Sequence, residues 1–181
     1  MTARSTSDPP RDGAAPSRPG EPDPVEVVRR IVLAQLTRGP RTRAQLAETC
    51  RRRGAPESAV EAVLDRFGEL GLVDDAAFAR AWVDSRHAGR GLARRALRHE
   101  LRHRGVDDET AAQALEQVDD EAERQSAETL VRARLPGLAR FDRATRRRRL
   151  HGLLVRRGYP AGMALAVIDA ALGQEADEPD P

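Results

Sequence analysis

Residues 95–115 read RALRHELRHRGVDDETAAQAL, and the same pattern stands twice more in the chain: RAQLAETCRRRGAPESAVEAVL at 43–64 and RRRLHGLLVRRGYPAGMALAVI at 147–168. The three segments align without a gap on Gly54, Gly105 and Gly158, which lie 51 and then 53 residues apart. A self-similar period of about 50 residues marks a tandem-repeat protein. Apolar identity is kept at Leu46, Leu97 and Leu150, at Cys50, Leu101 and Leu154, and at Leu64, Leu115 and Ile168. These are positions at which helical spacing turns a side chain toward a core. Each aligned glycine follows an arginine at the end of a helical pattern, where a left-handed residue stops the helix. Repetition of this kind argues for a binding surface more than for a single catalytic pocket.

Working outward, Asp23, Pro24 and Glu26 supply an N-cap, a proline at the first helical position and a capping-box acid. They open a helix carrying Val28, Ile31, Val32 and Leu36. A second helix runs from about Thr42 to Arg53, and Pro56 starts a third that ends near Gly71. The next unit opens at Asp74 and Asp75 and breaks at Gly89 and Gly91, which reads as a hinge. It continues as the basic helix 92–104, then restarts at Asp107. The last begins near Asp120, stops at Pro136 and Gly137, restarts at Asp142 and opens its final helix at Pro160. No stretch alternates as a strand does. The expectation is an all-α chain of three tandem three-helix repeats over 25–73, 74–118 and 119–173. Tails at 1–24 and 174–181 are expected to be disordered, for want of apolar residues to bury.

Aromatic residues make up only 3% of the chain, which suits stacked helical repeats built on Leu, Val, Ile and Ala better than one large core. All 31 basic residues are arginine and asparagine is absent, a bias that points first to codon usage in a GC-rich genome. The net charge of +2 leaves segment 25–173 at +7 once the acidic tails are set aside. A polyanion or an acidic protein surface is therefore the expected partner. No run of apolar residues fits a signal peptide or membrane span, and the single Cys50 allows no internal disulfide, so a cytoplasmic location is expected. Cys50 reads as a small buried hydrophobe and the i, i+4 pair Phe78 and Trp82 as core.

In each unit the helix before the aligned glycine is basic and the helix after it is acidic or neutral. At about 100° per residue, Arg94, Arg95, Arg98 and Arg102 share roughly a quarter of the helix circumference, away from Leu97 and Leu101. Any one of these arginines could simply pair with an acid of the neighbouring helix. The stripe as a whole recurs three times, so the expected contact residues are Arg90, Arg94, Arg95, Arg98 and Arg102 with Arg146, Arg147 and Arg156.

Three motifs point elsewhere and are set aside. His99-Glu100-Leu101-Arg102-His103 fits the H-E-x-x-H zinc pattern, with Glu123 the nearest third ligand, but Arg98 and Arg102 oppose a dication there. The first repeat resembles the helix-turn-helix of a DNA-binding transcriptional regulator, yet the helix that would enter the groove carries Glu57, Glu61, Asp65 and Glu69. Gly89-Arg90-Gly91 lacks the remainder of a phosphate loop. With no nucleophile set and no carboxylate pair, neither an enzyme nor a cofactor is expected.

The middle unit also resembles the signature of the RecX family of bacterial recombination regulators. The likeness rests on Asp74, Asp75, Phe78, Ala79, Trp82, Arg86, Gly91, Leu97, Glu100, Leu101, Arg104, Gly105 and Val106, with Arg157, Gly158 and Tyr159 in the last unit. The resemblance implies an elongated, curved body of three-helix repeats. It further implies a non-enzymatic regulator that binds the RecA filament on single-stranded DNA. Such a regulator inhibits ATP hydrolysis, strand exchange and the co-protease activity behind the SOS response. Weak binding to DNA, no membrane partner and a monomeric state go with that reading.

Overall fold

The computed structural model describes residues 23–177, and every regular element among them is helical. The order is α1 (Pro24–Leu36), α2 (Arg43–Arg51), α3 (Glu57–Glu69), α4 (Asp75–Arg90), α5 (Arg94–His103), α6 (Asp108–Leu115), α7 (Asp120–Arg134), α8 (Arg143–Arg156) and α9 (Ala161–Asp177). A short 3-10 turn at Pro136–Leu138 joins α7 to α8. Most residues of the expected tails fall outside the described residues, although α9 continues to Asp177, beyond the boundary expected at 173.

Helix starts follow from side chains that satisfy the first free N–H groups. Asp23 accepts from the Val25 N–H, Asp74 from Ala77, Asp107 from Thr110, Asp119 from Ala122 and Asp142 from Thr145. Thr42 and Gln45 form a reciprocal capping box at α2. The box expected at α1 does not form, because Glu26 turns to Arg29 at 2.7 Å.

Three apolar clusters match the three repeats: Val28 to Val73, Ala79 to Val118, and Ala127 to Leu172 joined by Ala93. All nine aligned apolar positions are buried, each at most 4% exposed, so the repeat read in the sequence is a repeat of cores. Burying a side chain of this kind stabilises by about 1.5–3 kcal/mol. Phe78 and Trp82 lie at the margin of the second cluster, partly buried and stacked with ring centroids 5.8 Å apart.

The units meet end to end, and the same joint is made twice. At the first, the Thr42 hydroxyl donates to the Arg104 carbonyl at 2.5 Å, and the Arg43 N–H donates to Asp75 at 2.8 Å. At the second, the Ala93 N–H donates to the Arg157 carbonyl at 2.9 Å, and the Arg94 N–H donates to Glu123 at 2.8 Å. In both, the start of one unit's middle helix abuts the glycine turn that closes the next unit's middle helix. The glycine is required for contact as well as conformation. A Cβ on Gly105 would stand 2.2 Å from the Ala44 Cβ, and one on Gly158 would stand 2.6 Å from the Ala96 backbone nitrogen.

Among the described residues neither outer end makes such a joint. The turn at Gly54 has nothing within 4 Å of a built Cβ, and at α8 Asp142 already accepts from both the N–H and the hydroxyl of Thr145. The break expected at Gly89–Gly91 falls at Gly91, the left-handed cap between α4 and α5. α4 runs through Gly89, and the carbonyls of Arg90 and Gly91 accept from Arg157 at 2.7 Å and Tyr159 at 3.0 Å.

Candidate interaction surface

The expected arginine stripe divides once acids from other helices are in place. Arg94 becomes part of the second joint: its guanidinium lies 3.1 Å from the buried Glu123 and also bonds Asp120. Arg102 grips Asp108 through two bonds of 2.6 and 2.9 Å, and Arg147 grips Asp169 at 2.7 and 3.1 Å. These pairs hold the Asp108 and Asp169 carboxyls below the usual carboxylate range. Arg146 is half-buried, with its Nε enclosed by protein. Arg90 lines a separate groove with Arg157, between the end of α4 and α7.

Arg95, Arg98 and Arg156 remain exposed. They meet, with Arg102, in a groove formed by α5 and the end of α8, whose apolar wall includes Leu92 and Val155. Its one acid, Glu100, is already engaged: it accepts from the Trp82 indole N–H at 2.8 Å and lies 3.7 Å from Arg86. Two guanidinium groups lie over the Trp82 ring, with Arg104 3.5 Å and Arg86 4.1 Å from its centroid. Burial pushes the Arg104 guanidinium below its ordinary value, and Arg86 adds to that effect.

Arg156 also lines a second groove, between α7 and α8, with Arg134, Arg148, Arg149 and Arg157 around Leu130, Leu138 and Leu153. No acid lines it. The two grooves therefore form one basic tract that crosses from the second unit into the third. Arg134, Arg148, Arg149 and Arg157 were not among the expected contact residues. The signal for part of the set was helical phase: Arg149, Gly152, Leu153 and Arg156 follow i, i+3, i+4, i+7 spacing, whereas Arg143 and Arg147 face α9 through Leu172 and Asp169. Such a tract suits phosphate or carboxylate groups, to which guanidinium offers paired donors.

The other motifs resolve in the same geometry. Glu123 does not serve the histidine pair as a ligand, because Arg94 occupies its carboxylate. Among the described residues no group of three or more His, Cys, Asp or Glu is placed to hold a metal ion. On α3, Glu57 binds Arg51 and Glu61 binds Arg43, so that helix presents acids where duplex DNA would need bases. No helix among the described residues is long and apolar enough to cross a membrane.

Comparison with known proteins supplies the lineage. A family model described as the second three-helix domain of RecX matches residues 74–115, and one described as the first matches 29–67. A regulatory protein RecX of Thermobifida fusca is 52% identical over 180 residues, covering 94% of this chain and 97% of the relative. One from Streptomyces coelicolor is 51% identical, covering 92% of each. The crystal structure of RecX from Lactobacillus salivarius superposes with a TM-score of 0.74 at 17% identity, over 81% of this chain and 96% of that one. A second RecX crystal structure gives 0.72 at 20% identity, over 81% and 72%. Identity of about half along nearly the whole length, with the three-unit helical fold, places this chain in the RecX family of regulatory proteins.

Proposed function

We propose that this protein is a non-enzymatic negative regulator of the RecA recombinase, acting as a cytoplasmic monomer in recombinational repair and the SOS response. It binds the RecA filament on single-stranded DNA and lowers its ATP hydrolysis, strand exchange and co-protease activity. The observation that carries the reading is the basic tract, whose Arg95, Arg98 and Arg156 enter no ion pair among the described residues and which spans the joint between the second and third units. A row of joined units touches several protomers of a filament at once, and each contact raises the effective concentration for the next. Within that arrangement Arg95, Arg98, Arg149 and Arg156 meet acidic protein surface or DNA phosphate. Arg94, Arg102 and Arg147 chiefly hold the body together through their ion pairs.

The test is single-stranded-DNA-dependent ATP hydrolysis by the cognate RecA, with this protein titrated in at two salt concentrations. Inhibition well below one protein per protomer supports blocked filament extension, and inhibition only near saturation supports coating of the groove. The triple variant Arg95→Glu, Arg98→Glu, Arg156→Glu should lose inhibition at least tenfold while keeping its helical circular dichroism. Inhibition unchanged in that variant removes the tract from the interface. A wild-type protein inert at both salts overturns the reading as a whole.

A further inference from the structure

The motif left unused by the basic tract is the histidine pair of α5. His99 and His103 are exposed, neither ring makes a hydrogen bond among the described residues, and their centroids lie 4.6 Å apart with the planes at 73°. We propose that these two imidazoles form a binding site for a divalent transition-metal ion of the Cu2+ or Ni2+ class. Two histidines four residues apart on a helix lie on one face, one above the other, and rotation about the side-chain torsions of these two exposed residues brings one nitrogen of each to a common point. Imidazole suits Cu2+ and Ni2+, and affinity along the first-row divalent ions peaks at Cu2+.

The surroundings decide what kind of site this is. Glu100, the would-be catalytic base of the H-E-x-x-H pattern, is bound to Trp82, so the site carries no proteolytic machinery. The positive charge that the sequence places beside the pair is partly cancelled, because Asp108 neutralises Arg102. No third protein ligand joins the pair among the described residues, which leaves the remaining coordination positions to water or to an anionic oxygen. His99 lines the groove that holds Arg95, Arg98 and Arg156. A bound dication thus adds charge at the edge of the basic tract and offers vacant positions to whatever anion the tract receives. The site stands whether or not that anion belongs to a RecA filament.

Metal binding is read directly from Trp82, the single tryptophan of the chain, whose indole is bonded to the glutamate lying between the two histidines. The full chain, stripped with chelator and titrated with Cu2+, should show saturable quenching at one ion per chain. His99→Ala and His103→Ala should each weaken binding about 10- to 100-fold, the loss expected when a two-point chelate becomes a one-point contact. His151→Ala should leave it unchanged. Zn2+ should compete only at higher concentration than Ni2+. Wild-type affinity in either α5 variant, or loss of binding in His151→Ala, overturns the assignment. Preference for Zn2+ over Cu2+ overturns the assignment to the Cu2+ or Ni2+ class.

Discussion

The joint between the first and second units and the joint between the second and third are built on one plan, yet they differ in depth. The first rests on one threonine hydroxyl, one N–H to a carboxylate, and the close approach of Ala44 to Gly105. The second adds the buried Glu123 with its two bonds from Arg94, the Arg157 bond to the Arg90 carbonyl, the Tyr159 hydroxyl on Gly91, and Leu130 packed on that glycine. The basic tract crosses the second joint, so the more heavily bonded joint is the one that holds the arginines in register. The lighter joint ties the first unit to the second through fewer bonds.

The largest effect that would separate the two is expected from the aligned glycines. Gly158→Ala combines left-handed strain with a clash against the Ala96 backbone, for a loss of about 3 kcal/mol by urea unfolding. Gly54→Ala shares the positive φ but meets nothing, so only the strain of about 1 kcal/mol remains. Equal losses at the two positions would show that the joint is not what the glycine serves.

Next comes Glu123→Ala, which strips a buried carboxylate from the Arg94 N–H and guanidinium. Arg94 is 39% exposed, so water softens the loss to about 2–3 kcal/mol rather than the full value for a buried pair. Asp75→Ala, its counterpart at the first joint, should cost less; the reverse order would invert the comparison.

The smallest effect is Tyr159→Phe, about 1 kcal/mol for one hydrogen bond. It also carries a pH signature. Burial raises the Tyr159 hydroxyl above its ordinary value of 10.0, so the unfolded chain ionises first. The stability held by the neutral hydroxyl is complete below pH 10 and is lost as pH climbs through the higher native value. Thermal unfolding followed from pH 8 to 11 should show a steeper fall for the wild type than for the phenylalanine variant.

Much of the fold was legible because its determinants are local. Caps at Asp74, Asp107 and Asp142, the glycine stops and the nine aligned core positions are all read from spacing and residue type. The binding surface was legible only as a basic face. Which arginines stay free depends on acids 22 to 29 positions away in sequence, such as Asp169 for Arg147 and Glu123 for Arg94, brought near by packing between helices. Within the run Arg146 to Arg149, helical phase would have separated Arg149, beside the groove, from Arg147, beside α9. Glu123 gave no local sign of its role, since a buried strut and an exposed surface acid look alike in a sequence.

The self-satisfied Asp142 bears on something larger than helix stability. Each joint has a helix start that donates to a carbonyl of the neighbouring turn, from the Thr42 hydroxyl or the Ala93 N–H; α8 starts instead on Asp142, whose carboxylate accepts from Thr145 and has no side-chain proton to donate. The row of joints therefore ends, among the described residues, on a carboxylate that a turn carbonyl would repel, where the first unit offers a hydroxyl.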